Sequence, residues 1–319
     1  MHRPKTIIST LSFLFVASFQ IFACDVCDIY TATDAQGESK RGFFLGVAEQ
    51  FTHFGTLQFE GSEVPNPTSQ HLDSSITQAV IGYSFTHRFS LQANVSSIYR
   101  SFKRPEGFQT DEGTEAGLGD VSLLGKSLVW RKDTDNVTFT WNILGGVKFP
   151  TGSTSRIKEE LSEVEVKGAP ESGIHGHDLT LGSGSLDGIV GTSFYLRYQR
   201  AFLTGAVQYS IRTEGDFNYR FANDLSWEGG PGIYLFLANT YTVALQAAIS
   251  GEQKGTDTFR GQSAADTGIT SVYLGPKITA TWRDRLSADI GVDIPVSIQN
   301  TALQAVPDFR VRAGLTWRF

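Results

Sequence analysis

Sulfur is nearly absent from this chain of 319 residues, which has two cysteines, Cys24 and Cys27, and a single methionine, Met1. A fold held by several disulfides is therefore excluded. After residue 23 no stretch is apolar enough to cross a bilayer as a helix, which excludes a helical membrane domain. No Pro/Gly/Ser linker or shift in composition divides the chain, so one domain is expected although the length would accommodate two. Signatures of common hydrolases are missing. None of the six histidines is followed two residues later by serine, and neither Gly-x-Ser-x-Gly nor His-Glu-x-x-His occurs. Gly182-Ser183-Gly184 lacks the spacing and the following helix of a phosphate loop. An excess of positive charge is missing too. Without Arg3 and Lys5, 25 basic residues face 33 acidic ones, a net charge of −8, and no nucleic-acid partner is expected.

What is present points to a membrane of strands. His2, Arg3 and Lys5 precede an uncharged apolar run over 7–23, which reads as a signal peptide cleaved after Ala23. Glycine is abundant at 33 residues and aromatics make up 12%. The last thirteen residues, 307–319, alternate strictly. Phe309, Val311, Ala313, Leu315, Trp317 and Phe319 share one face of a strand, and Arg310, Arg312, Gly314, Thr316 and Arg318 share the other. This stretch resembles the closing strand of bacterial outer-membrane barrels, whose terminal aromatic implies recognition by the barrel assembly machinery. The competing reading is a surface strand of a soluble sandwich.

Strand candidates recur at 42–58, 75–86, 89–102, 116–130, 136–149, 185–198, 201–213, 225–237, 241–251, 268–282, 286–299 and 307–319. Their connections alternate long and short, as expected of an even-stranded antiparallel barrel with long external loops and short periplasmic turns. The expected fold is thus all-β: a single transmembrane barrel of about 12 strands over 42–319, in the outer membrane of a Gram-negative bacterium. Faces agree with that fold. Phe139, Trp141, Ile290, Val292, Leu315 and Trp317 fall on lipid-facing parities. Lys148, Asp289, Asp293, Arg310, Arg312 and Arg318 fall on the lumen side. Asp289 and Asp293 lie in the strand beside Arg310 and Arg312, where cross-strand pairs either brace the wall or form a charged constriction that selects solute.

Two motifs, Gly117-Leu118-Gly119-Asp120 and Gly145-Gly146-Val147-Lys148-Phe149-Pro150-Thr151-Gly152, resemble the outer-membrane family associated with the meta-pathway of phenol degradation. That family is related to the fatty-acid and aromatic-hydrocarbon channel barrels. The resemblance covers 42–319 and implies a channel for small, often hydrophobic or aromatic solutes. It carries no catalytic residue.

Cys24-Asp25-Val26-Cys27 opens the mature chain. It reads as a local disulfide or redox pair, as half of a copper or zinc site, or as a lipidation site at Cys24. No histidine follows Cys27 directly, which disfavours haem attachment. The segment 24–41 is either a periplasmic tail or a hatch tucked into the lumen. With the hatch, the alternative to a channel is a plugged barrel with a metal- or redox-linked thiol pair. The long polar loop over 151–184 is expected outside, with a short helical turn or a disordered stretch after Arg156. Its His175-Gly176-His177-Asp178 either holds a divalent ion or belongs to a solvated loop. Amino-terminal sequencing of the purified protein should read from Cys24. The detergent-solubilised chain should show β-type circular dichroism and a gel shift on boiling; a helical spectrum without a shift would refute the barrel.

Overall fold

The computed structural model describes residues 41–161, 166–283 and 285–319. The expected signal peptide, Cys24, Cys27 and the rest of the segment up to residue 40 lie outside the described residues.

Among the described residues, twelve strands run in chain order around one sheet: β1 (Gly42–Phe59), β2 (His71–Ser84), β3 (Phe89–Glu106), β4 (Gln109–Asp133), β5 (Val137–Phe149), β6 (Asp187–Tyr198), β7 (Ala201–Ile211), β8 (Asp224–Leu237), β9 (Tyr241–Lys254), β10 (Ile269–Trp282), β11 (Leu286–Asn300) and β12 (Leu303–Arg318). Every neighbouring pair is antiparallel, and β12 returns to β1 with Trp317 opposite Leu45 and Leu303 opposite Phe59. The sheet is closed. Closure leaves no row of bare N–H and C=O groups, which hydrocarbon could not solvate.

Two connections differ from expectation. Residues 103–115, expected as an acidic loop, continue β3 and β4 to a tight turn at Gly107 and Phe108. Opposite charges explain it, because Lys103 faces Glu112 and Arg104 faces Asp111, with Arg104 Nε 3.0 Å from Asp111 Oδ2. Residues 300–306 likewise form a two-residue turn at Thr301 and Ala302 rather than a loop. The external side is built of tall hairpins at these two places. Four shorter strands pair above the wall, and the long fifth connection contains α1 (Ser155–Glu160) and α2 (Gly176–Leu179).

The alternation of side chains sets the two surfaces. Trp141, Ile143, Ile290, Val292, Ile294, Leu315 and Trp317 are exposed on the outside, while Gln50, Gln78, Asn94, Lys148, Gln208 and Asp293 are buried inside. Trp130, Tyr198, Tyr241, Trp282 and Trp317 cluster at the short-turn end as an interfacial girdle. Four glycines serve ring packing. Phe44 lies over Gly82, Phe194 over Gly205, Phe202 over Gly232 and Trp227 over Gly251, each directly across a strand pair, where a Cβ would collide with the ring. Acids break the outer pattern at two places: Asp73 pairs with His53 at 2.6 Å, and Glu49, nearer the middle of β1, also falls on the outward parity. Both of its oxygens are met by hydroxyls of the next strand, Ser75 at 2.5 Å and Thr77.

Val292 sits across from Val311 in the apolar belt. Val292→Arg should destabilise the folded barrel by about 2–4 kcal/mol in reversible urea unfolding from lipid vesicles. An unchanged midpoint would contradict its lipid-facing placement.

Candidate functional site: a charged lumen under an inserted loop

The fifth connection, expected outside, folds inward. The reason is apolar: Ile157, Ile174, Leu179 and Leu181 are buried, and water outside offers them nothing. Ile174 and Leu179 pack with Phe54, Leu72 and Phe102 on the inner wall, and Leu181 packs with Ala48, Ile76 and Ile98. Ile157 joins Tyr219 and Phe221 from the seventh connection, with Phe259 from the ninth beside them. The three loops thus form one cap that fills the external end of the lumen.

Polar side chains of the wall fasten the cap. Buried Arg100 donates to Thr180 O at 2.6 Å, and Gly173 N donates to Gln70 Oε1 at 2.8 Å. The two family-like motifs meet here. Gly119 and Asp120 together oppose Ser96, a bulge in β4 that places Asp120 on the inside. Lys148 Nζ lies 2.8 Å from Asp120 Oδ2 and 3.0 Å from Asp187 Oδ2. Asp120 also accepts from Gly152 N at 3.0 Å and Ser183 N at 2.9 Å, the two shoulders of the inserted loop. Asp187 continues to Arg212 at 2.9 Å, and Arg212 to Asp224 at 2.7 Å.

Below the cap, β8 to β12 carry a ladder of paired charges. Asp293 Oδ1 accepts from Arg312 Nη2 at 3.1 Å, and its Oδ2 stands 2.8 Å from Arg312 Nε and 3.6 Å from Arg310 Nε. Arg310 reaches Glu252 at 2.9 Å, with its guanidinium 3.9 Å above the Tyr273 ring. Arg312 reaches Glu228 at 2.6 Å, and Lys277 stands 3.6 Å from the same carboxylate. Of the residues expected in the lumen, Asp293, Arg310 and Arg312 come together in this ladder. Lys148 lies apart, under the loop. Asp289 has Thr279 and Gly314 as its cross-strand neighbours, and Arg318 donates to Ser287 Oγ at 3.2 Å near the short-turn end. Glu228, Glu252 and Lys277 were not expected. Their signal was the lumen parity of β8, β9 and β10, obscured by the glycines and proline of those strands.

Between cap and ladder lies a pocket. Phe54, Leu72, Ile174 and Tyr273 give it an apolar side, and Glu252 and Lys254 a charged one. His177, also at its edge, is buried. Its Nδ1 lies 2.9 Å from Glu160 Oε1 and its Nε2 3.3 Å from Asp178 Oδ1. Burial alone would lower the imidazole, but Asp178 and Glu160 outweigh it and hold it up at about 10. Burial alone would raise Glu160, but His177 holds it down at about 2.

No family model matches the chain, and no curated protein matches it. Among solved structures, the fold is similar to an outer-membrane channel from Pseudomonas putida F1, with TM-score 0.59 and 12% identity over 89% of this chain and 98% of that one. The β domain of the Bordetella autotransporter BrkA aligns with TM-score 0.47 and 10% identity, over 88% of this chain and 100% of that one. At such identities the likeness is one of fold. The fold is that of a bacterial outer-membrane barrel.

Lys148→Met removes a cation shared by two buried carboxylates, a loss of about 3–5 kcal/mol. Tryptic cleavage at Arg156 or Lys158, read by mass spectrometry, should accelerate while the boiling-dependent gel shift persists. Adding Asp120→Asn should restore part of the protection. Wild-type cleavage in Lys148→Met would show that this pair does not hold the loop.

Proposed function

We propose that this barrel is an outer-membrane channel for small solutes with an apolar or aromatic body and a polar handle, closed at its external end by the inserted loop. The observation that carries the reading is the pocket between loop and wall. Its Glu252 belongs both to the pocket and to the ladder, so a solute seated there already touches the next polar group of the lumen. The apolar side takes the body of the solute out of water, and the charged side orients its handle. Further in, Arg310, Arg312 and Lys277 are balanced by Glu228, Glu252 and Asp293. A nearly neutral lumen of this kind favours uncharged or zwitterionic solutes over single ions. The shared fold with an outer-membrane channel and the two phenol-pathway-like motifs support the same reading, and the motifs favour an aromatic body.

Two measurements test it. In planar bilayers, replacing residues 155–179 by a short Gly/Ser linker should raise unitary conductance severalfold over the native chain. In liposomes, uptake of phenol-sized solutes should exceed that of equally sized sugars. Absence of conductance and uptake in both proteins would leave a plugged barrel instead of a channel.

A further inference from the structure

We propose that Glu160, His177 and Asp266, joined by His175, bind one divalent transition-metal ion of the zinc class, which ties the inserted loop to the ninth connection. The donors come from three separate pieces of chain: Glu160 from the end of α1, His175 and His177 from the start of α2, and Asp266 from the loop that joins β9 to β10. One ligand atom from each of Glu160, His177 and Asp266 lies within 4.8 Å of the others. Donors on a four-coordinate zinc lie about 3.3 Å apart, so binding needs a contraction of at most about 1.5 Å. A turn of the carboxylates supplies that. His175 completes the set. Its Nε2 is 3.4 Å from Asp266 Oδ2, and its ring stacks on His177 with centroids 5.7 Å apart.

The donor chemistry selects the ion. Imidazole nitrogens with carboxylate oxygens suit zinc and its neighbours, whereas calcium and magnesium favour all-oxygen sets. The charge balance points the same way. Three carboxylates, Glu160, Asp178 and Asp266, converge on His177. A dication among them offsets two of their negative charges. His177 has a carboxylate beside each ring nitrogen, so a metal on one side leaves the other nitrogen still oriented by a carboxylate, the usual outer support of a metal-bound histidine. The backbone is already arranged for it. Glu160 Oε2 accepts from His177 N at 2.6 Å, which fixes the two halves of the loop against each other. Sequence spacing had singled out His175 and His177 but not Glu160 or Asp266, which only the fold brings near.

The binding rests on these residues alone. Its consequence for transport, a cation that latches the cap closed, rests on the channel reading. The two are tested separately. The mature protein carrying Cys24→Ser and Cys27→Ser, so that the amino-terminal thiols cannot bind metal, is titrated in detergent with Zn²⁺ against a chromogenic chelator. One Zn²⁺ per chain is expected. His175→Ala, a partly exposed position, should weaken it about tenfold, and Glu160→Gln with Asp266→Asn should abolish it. The boiling-dependent gel shift reports whether each variant is folded. Zn²⁺ should also slow tryptic cleavage at Lys158 severalfold, reversibly with EDTA, and not in the double variant. No saturable binding in the thiol-free protein, or equal binding in His175→Ala and the double variant, would overturn the site. Binding without any effect of Zn²⁺ on conductance would overturn only the latch.

Discussion

Hydrocarbon solvates neither charge nor unpaired backbone, and the form of this chain follows from that constraint. Closing β12 onto β1 pairs the last free edges. Alternation then assigns Arg310, Arg312, Asp293 and Lys148 to the inside and Ile290, Val292, Leu315 and Trp317 to the outside. Glu49 shows the constraint at work where the pattern is broken. An outward carboxylate is tolerated because Ser75 and Thr77 on β2 supply hydroxyl donors to its two oxygens.

Moving charge inside creates a second problem, since a narrow lumen holds too little water to hydrate every group separately. The structure meets it in two ways. On β8 to β12 the cations and anions lie in reach of one another, with Asp293 between Arg310 and Arg312. On β3 to β6 the cations are covered by the inserted loop instead. Thr180 O caps Arg100, Ile174 O accepts from Arg104, and the Ser183 hydroxyl joins Lys148 and Asp120. The loop is therefore part of the electrostatic closure of the wall as well as a cover over it.

Much of the wall was legible in the sequence, because a period of two is a local signal repeated in every strand. The pairing of Asp293 with Arg310 and Arg312 followed from neighbouring strands with opposite charge on one parity. Legibility ended where local and long-range signals diverge. Residues 103–115 carry the charge of a loop, yet Arg104 and Asp111 pair across a continued ladder. The stretch 151–184 is polar enough to read as external, and its few apolar residues, Ile157, Ile174, Leu179 and Leu181, have no period that announces burial. Glu160 and Asp266 lie far from His177 in sequence on one side or the other, so no spacing rule could join them. The Gly117–Asp120 and Lys148–Gly152 motifs were visible, but not that they grip each other. A bulge turns Asp120 inward, and that is a property of the paired strands rather than of either motif.

The same division separates what can move from what cannot. Breaking a ladder bond in the wall leaves a peptide group facing lipid, with no substitute partner. Breaking the bond from Arg100 to Thr180 O, or from Ser183 N to Asp120, exposes both groups to a lumen that water can enter as the loop leaves. The net cost of exchanging such a bond for water is modest, about 1.5–3 kcal/mol when one partner is charged. What resists withdrawal is the burial of Ile157, Ile174 and Leu179, together with the Lys148 pairs, whose carboxylates need a cation whether or not the loop is present. A rigid wall with a separable cap is therefore the expected mechanics of the described residues, and any group that binds across the cap's own seams, between α1, α2 and the ninth connection, acts on a part of the lumen that can open without breaking the wall.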